Sequence, residues 1–383
     1  MEKSIYFDYA ASTPVDPDVL EEMVPYFTEN FGNSSSIHQY GQRAENALDL
    51  ARQTCAELLH TSFENIIFTS GGTESDNLAL RGIAHSRRKQ FGAEEILISP
   101  VEHHAILHTV EQLRDEFGFS VGFIPVFQDG LIDLDGLRNC IHSNTAVVSV
   151  IYANNEIGTI NPIKEIGEIC KEKDIPFHSD AVQAAAHLPM NMENEALSLI
   201  SIGAHKMYGP KGVGLLGMRD VKSILSTQTG GGQEFNKRAG TQNIPLIVGL
   251  TASFKKAQMD ISTRNSHLRQ LRDQLIDGIL SSVNGSWLTG HPNLRLPNHA
   301  SFVFSGIDGN QLIRILDANG FCCSSGSACK VGSPSPSNVL LETGYSRDLA
   351  LSSLRVTLGK ENSLEQVNEL IKIIDKTVTT LRK

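Results

Sequence analysis

The sequence predicts an α/β fold: a larger domain around a mostly parallel sheet, then a smaller α/β domain toward the C-terminus. Two observations carry this expectation. Short apolar runs alternate with amphipathic helical stretches between about residues 60 and 220, the order expected of strands connected by crossover helices. Beyond a helical pattern at His267 to Leu280 the rhythm changes and strands become fewer. The length agrees, since 383 residues at about 150 per domain give two or three domains. From the pattern alone the boundary falls near residue 255.

The strand runs are, in order, Ile66–Thr69, Ile96–Ile98, Val121–Val126, Ala146–Ala153, Pro176–Asp180 and Val213–Leu216. Between the fourth and fifth runs lies one such helical stretch, Ile163 to Lys173, with Ile163, Ile166, Ile169 and Cys170 on one face. With 40 % hydrophobic and 20 % charged residues, the composition suits a globular protein with a substantial core. A formal net charge of −10, with no basic block, disfavours nucleic acid or an anionic membrane as partner. No apolar run approaches bilayer length, and Met1 to Asp8 lacks the basic-then-apolar order of a signal peptide. Six cysteines are too sparse for a disulfide scaffold. These features predict a cytoplasmic enzyme.

Open parallel sheets bind ligands at the carboxyl ends of their strands, so the residues after each run are the candidates. Phe68 to Asn77 ends an apolar run in two glycines, after which Thr73 begins a helical pattern with Asp76 three residues on, like a capping box. Such a turn presents free N–H groups and a positive dipole end to phosphate, or is simply a capped turn. Asp180 ends a buried run, where a carboxylate either caps the next helix or serves a function such as holding a proton on a heterocyclic nitrogen. Lys206 follows an apolar run and precedes a glycine-rich turn; kept from bulk water, it becomes an amine nucleophile suited to a Schiff base. Lys211 competes for that role, and Gly209-Pro-Lys-Gly lacks the spacing of a Walker loop.

Cys329 lies in the Gly/Ser/Pro-rich stretch Cys322 to Ser337, which reads as an exposed loop, and Lys330 beside it favours a thiolate. Cys55 and Cys170 sit on apolar helix faces, and Cys140 has no evident partner. Cys322, Cys323 and Cys329 lack the paired spacings of zinc sites. His103, His104 and His205 follow strands, where imidazole serves as structural hydrogen-bonder or as acid and base.

In order along the chain stand Gly-Gly-Thr at 71–73, Glu102-His103, Asn154-Asn-Glu-Ile-Gly158, Asp180-x-x-Gln183, His205-Lys206 and Ser324-Ser-Gly-Ser-Ala-Cys329. As a set they resemble the NifS/IscS-type cysteine desulfurases, of the class V aminotransferase family and its long-loop group. The resemblance runs from Tyr6-Phe-Asp-Tyr-Ala-Ala-Ser-Thr-Pro14 to Leu354-Arg-Val-Thr-Leu-Gly359. It implies pyridoxal 5'-phosphate fold type I, with a cofactor-binding domain at 15–257. It also implies a small domain of 1–14 and 258–383 carrying the cysteine loop at about 322–338.

By the same resemblance Lys206 carries the cofactor covalently and Asp180 pairs with its ring nitrogen. His103 stacks on the ring and moves protons, and Gln183 and Asn155 serve its phenolic oxygen and the substrate side. Gly72, Thr73 and His205 cradle the phosphate, and Arg355 grips the substrate carboxylate. Thr241, in Arg238 to Pro245, reaches the phosphate of a partner subunit, which implies a homodimer. The implied reaction converts L-cysteine to L-alanine: Lys206 moves the α proton, and the Cys329 thiolate takes the sulfur as a persulfide. The sulfur then passes to an acceptor such as an iron–sulfur scaffold or sulfur carrier, for cluster assembly, other thio-cofactors or tRNA thiolation. Gly203 departs from the pattern, for the family carries a phosphate-binding serine there; its backbone N–H remains as a donor. The rival readings are a selenocysteine or cystine/cysteine carbon–sulfur lyase, which needs no enzyme thiol, a non-catalytic scaffold in a sulfur-transfer complex, and a cysteine hydrolase, which needs a base beside Cys329.

Overall fold

The computed structural model describes residues 4–325 and 335–383. Twelve strands are described: β1 Ile5–Tyr6, β2 Ile66–Thr69, β3 Glu95–Ile98, β4 Ser120–Phe123, β5 Thr145–Ser149, β6 Phe177–Asp180, β7 Leu199–Gly203, β8 Gly214–Met218, β9 Ser286–Leu288, β10 His299–Phe304, β11 Phe321–Cys322 and β12 Leu354–Thr357. Seven form one sheet in the order β2-β8-β7-β6-β5-β3-β4. The pairs from β7 through β6, β5 and β3 to β4 are parallel, while β8 runs antiparallel to both β7 and β2. Only β8 is reversed, so β2, β3, β5, β6 and β7 all point their carboxyl ends to one edge.

The central strands β5, β6, β7 and β8 are buried throughout, which explains why their sequences read as continuous apolar or small-residue runs rather than alternations. Two cores cover the sheet's faces. One joins the helix Gln39–Leu59, the helix Ile163–Glu172 and the helix Ile244–Met259. The other joins the helices Gly72–Phe91 and His104–Phe117. The Ile163, Ile166, Ile169 and Cys170 stripe lies in the first of these, as its spacing predicts. The edge strand β4 is shorter than the apolar run suggests and leaves Phe123 exposed, and β5 stops at Ser149 before the run does. The strand β7 was not among the predicted runs.

A separate core lies around the antiparallel sheet β12-β10-β9 and the helices Ile261–Ser282, Gly309–Ala318 and Leu364–Leu381. The N-terminal segment joins this core: β1 pairs in parallel with β11, and Phe7 is buried against Phe321. A small cluster of Val101, Ile157, Val303, Val339, Leu340 and Ala350 connects the two bodies.

Candidate active site

The carboxyl edge of the large sheet gathers most of the predicted residues. Each comes from a strand's carboxyl end or the segment that follows it: Gly72 and Thr73 after β2, His103 after β3, Asn155 after β5, Asp180 and Gln183 at and after β6, and Gly203, His205 and Lys206 at and after β7. Facing them is a strip of the N-terminal segment, held in place by Thr13, whose N–H donates to the His205 carbonyl at 2.9 Å.

Lys206 ends a single 3-10 turn, Ala204–Lys206, and its Nζ donates to the carbonyl oxygens of Ala10 at 2.6 Å and Ala11 at 2.7 Å. Burial, and then the charge of Arg355, lower this amine to about 8 from the usual lysine range. Lys211 is exposed, so of the two lysines Lys206 is the one held away from water. Gln183 converges on the same spot, donating from Nε2 to the Ala10 carbonyl at 2.8 Å.

Asp180 is 5 % exposed, and its Oδ1 accepts from the Val182 N–H at 2.9 Å. Asp180 does not cap the next helix, one of the two roles expected of it: the turn Ala184–Ala186 begins after Gln183 without a side-chain cap, and the carboxylate closes a local turn instead. Burial raises its proton affinity, opposed by His103, the Val182 N–H and Lys206. His103 caps the helix His104–Phe117, its Nδ1 accepting from the Ala105 N–H at 3.1 Å, which places the ring proton on Nε2. His205 approaches Ser12 Oγ at 3.3 Å through Nδ1 and is lowered to about 4 by burial and by Lys206 and Lys211.

The Gly-Gly-Thr turn differs from its expected capping box. The helix begins at Gly72, no side chain caps it, and Asp76 is turned inward and buried. Glu74 instead accepts from the Ser70 N–H at 2.7 Å and pairs with Arg238 at 2.8 Å. The uncapped first turn of a 20-residue helix is a fitting anion cradle. A Cβ at Gly72 would lie 2.5 Å from Val182 Cγ2, so that residue must be glycine for the turn to pack. A Cβ at Gly203 would meet Val182 at 3.4 Å and the Gly72 nitrogen at 3.5 Å, which sets Gly203 beside the same N–H groups.

Arg355 lies on β12, its Nη2 2.9 Å from Asp8 Oδ1 and its Nη1 3.0 Å from the Asn155 carbonyl. Asp8 was not predicted, and neither was Glu156. Burial raises Glu156 to about 7, although its carboxylate accepts from Ser337 Oγ at 2.5 Å and senses Arg355. Thr241 is exposed and lines a surface cavity of about 350 Å³ with Tyr26, Asn30 and Phe31 rather than joining the group around Lys206. Cys329 lies outside the described residues. The flanks of its segment meet the pocket wall, since Ser324 and Arg355 exchange backbone hydrogen bonds at 3.3 and 2.7 Å and Ser337 reaches Glu156.

The aminotransferase class-V family model matches residues 5–370. The chain belongs to that family. It is 44 % identical over 385 residues to the cysteine desulfurase IscS of Clostridium botulinum, covering 100 % of this chain and 96 % of the relative. A solved NifS-like protein superposes with a TM-score of 0.91 at 34 % identity, covering 99 % of this chain and 100 % of the other. A structure described as SspA in complex with cysteine gives a TM-score of 0.81 at 33 % identity, over 92 % and 98 %. The fold is therefore the pyridoxal-phosphate fold type I that the motif set implied, and pyridoxal 5'-phosphate is the cofactor of this class V enzyme. The chain's residues fit that group. Lys206 is a half-buried amine whose hydrogen bonds go to carbonyls, Asp180 is an acid near it, and the uncapped turn at Gly72 is suited to phosphate. Among the described residues no helix is long and apolar enough to cross a membrane.

Proposed function

We propose that this chain is a cysteine desulfurase in which Lys206, Asp180, Arg355 and Cys329 divide the work, converting L-cysteine to L-alanine and passing its sulfur onward. The observation that carries the reading is that a partly buried Lys206, lowered to about 8, senses the charges of both Asp180 at the sheet edge and Arg355 on β12. Bound pyridoxal phosphate supplies an electron sink for bonds at the substrate's α-carbon. Arg355 holds the substrate carboxylate, a task suited to a guanidinium already oriented by Asp8 and the Asn155 carbonyl. Lys206 moves the α proton, and His103 and Asn155 border the reacting atoms. The Cys329 thiolate attacks the substrate sulfur. A sulfur–sulfur bond forms, the carbon–sulfur bond breaks, and the carbon skeleton takes up a proton and leaves as alanine. Gln183 braces the strip that accepts Lys206, while Gly72, Thr73, Gly203 and His205 border the phosphate end.

The same proposal includes two bodies, residues 15–257 and residues 1–14 with 258–383, in keeping with their separate cores. It also includes a homodimer in which Thr241 faces the partner's site. The exposed apolar side chains Val24, Phe27, Phe31, Ile37 and Tyr40 near Thr241's cavity support an interface there. The onward acceptor is a protein, an iron–sulfur scaffold or sulfur carrier, met in the cytoplasm. Product analysis tests the reading: cofactor-loaded enzyme with L-cysteine and a thiol reductant yields alanine and sulfide in equal amounts, and Cys329→Ala yields neither. Pyruvate with sulfide, undiminished in the variant, would make the enzyme a lyase.

A further inference from the structure

Behind Asp180 lies a shell of ionisable groups that the reaction above leaves without a role. Alternation along β6 puts His178 on the same face as Asp180. The neighbouring strands each add a serine in register, Ser149 of β5 opposite His178 and Ser201 of β7 opposite Asp180. The imidazole spans them, with Nδ1 2.9 Å from Ser149 Oγ and Nε2 3.0 Å from Ser201 Oγ. Asp76, from the helix Gly72–Phe91, lies over this rung with Oδ1 3.7 Å from His178 Nε2. Glu102, between β3 and His103, accepts from the Ile151 N–H at 2.6 Å through Oε1. Asp76 is 1 % exposed, Glu102 2 % and His178 not at all. Asp76 Oδ1 and Glu102 Oε2 are fully buried and accept no hydrogen bond.

Two bare carboxylate oxygens in such a place have no stable ionised form. A buried anion needs a cation or several donors, and a second anion alongside makes the first costlier. The groups facing this shell settle which member is charged. Burial first, and then Asp180 and Glu102, drive Asp76 far toward the protonated form, with the Ser201 hydroxyl as the one group pulling the other way. Glu102 meets Asp180 and a single N–H and goes the same way. Burial raises Asp180 as well, but of the three acids it alone has His103 and Lys206, with the Val182 N–H, drawing it back toward ionisation. His178 provides no counter-charge, because burial between two hydroxyls lowers it to about 3 and keeps it neutral.

We propose that Asp76 and Glu102 are neutral carboxylic acids, clamped with neutral His178 behind Asp180, so that the single negative charge of this shell rests on Asp180. They are positioning residues. Their protons keep Asp180 free to act as the one base toward the cofactor's ring nitrogen. This inference rests on the reading of Asp180 as that base.

Infrared spectra of the holoenzyme at pH 7 to 8 test it. The wild type shows a carboxylic-acid carbonyl band, part of it lost in Asp76→Asn and part in Glu102→Gln, since each amide is the isostere of a neutral acid. The pH titration of the cofactor's absorbance keeps its midpoint in both variants. Linkage gives a second reading. A carboxyl whose folded pKa is raised costs stability as pH rises from its unfolded value toward the folded one. The melting temperature of Asp76→Asn relative to wild type therefore climbs between pH 5 and 8. Absence of the band, with a cofactor midpoint moved by about one unit or more and a melting-temperature difference that stays flat between pH 5 and 8, overturns the proposal by showing Asp76 ionised. Asp180→Asn separates the two layers: if it leaves the cofactor titration unchanged, the reading of Asp180 fails whatever the acids do.

Discussion

The two walls of the pocket are built by opposite means. The sheet wall places Gly72, His103, Asp180, Gly203 and Lys206 at or just beyond the carboxyl ends of strands, each fixed by a buried strand behind it. The facing wall joins segments far apart in the chain, with Arg355 tied to Asp8 across 347 positions and to the Asn155 carbonyl across 200. Strand ends give rigid placement, which suits groups that hold a cofactor through every turnover. The Arg355–Asp8 pair lies within the smaller body, and the bond to the Asn155 carbonyl reaches across to the larger one. The grip therefore shifts with their relative position, which suits a group that must hold a substrate and release a product. The difference assigns cofactor chemistry to one wall and substrate selection to the other.

Lys206→Ala is the most severe test of the sheet wall. On the proposed reading it removes both the covalent attachment and the proton carrier, so turnover is expected to fall by at least about 10²–10⁴-fold, measured as alanine released. Arg355→Lys tests the facing wall, because a single ammonium replaces a fork already engaged on two sides. KM for L-cysteine rises by about 10- to 100-fold while cofactor absorbance stays unchanged. Equal damage to cofactor binding would erase the division between the walls.

A pH series sharpens the same contrast. If Lys206 anchors the cofactor as proposed, attachment to the cofactor-free protein requires its neutral amine, whose pKa is lowered to about 8. Its initial rate falls about tenfold per unit below pH 8 and levels off above it. The sign for stability is the reverse of the acids'. A lysine lowered in the fold binds fewer protons than in the unfolded chain between about 8 and 10.4, so the cofactor-free protein gains stability across that window. The smallest effect is expected of Gly203→Ser. Its Cβ has room beside Val182 and the Gly72 nitrogen. Stability therefore changes by no more than about 0.5 kcal/mol, and the added hydroxyl slows cofactor loss by up to about tenfold.

The sheet wall was largely legible in the sequence because strand ends announce themselves: an apolar run stops and a glycine, an acid or a lysine follows. Asp180 and Lys206 could be found that way, and Lys206 could be set against Lys211, though only burial decides between them. The facing wall was legible only through resemblance. Nothing local to Asp8 says that it orients Arg355, and the carbonyls of Ala10 and Ala11 that hold Lys206 leave no side-chain signature at all. Asp76 was read as part of a cap because its spacing from Thr73 matched one; the helix instead starts one residue earlier and turns that acid into the sheet. Glu102 and His178 stood inside motifs already noticed for their neighbours, His103 and Asp180. The reversed strand β8 was hidden for a related reason, since a fully buried run looks the same in either direction.

The central claim is that this pocket moves sulfur from cysteine onto Cys329. Mass spectrometry of the holoenzyme after brief exposure to L-cysteine, without reductant, tests it most directly. The account predicts one added sulfur on the peptide containing Cys329, formed in step with alanine and reversed by a thiol. Alanine or pyruvate formed at full rate with that peptide unmodified would contradict it.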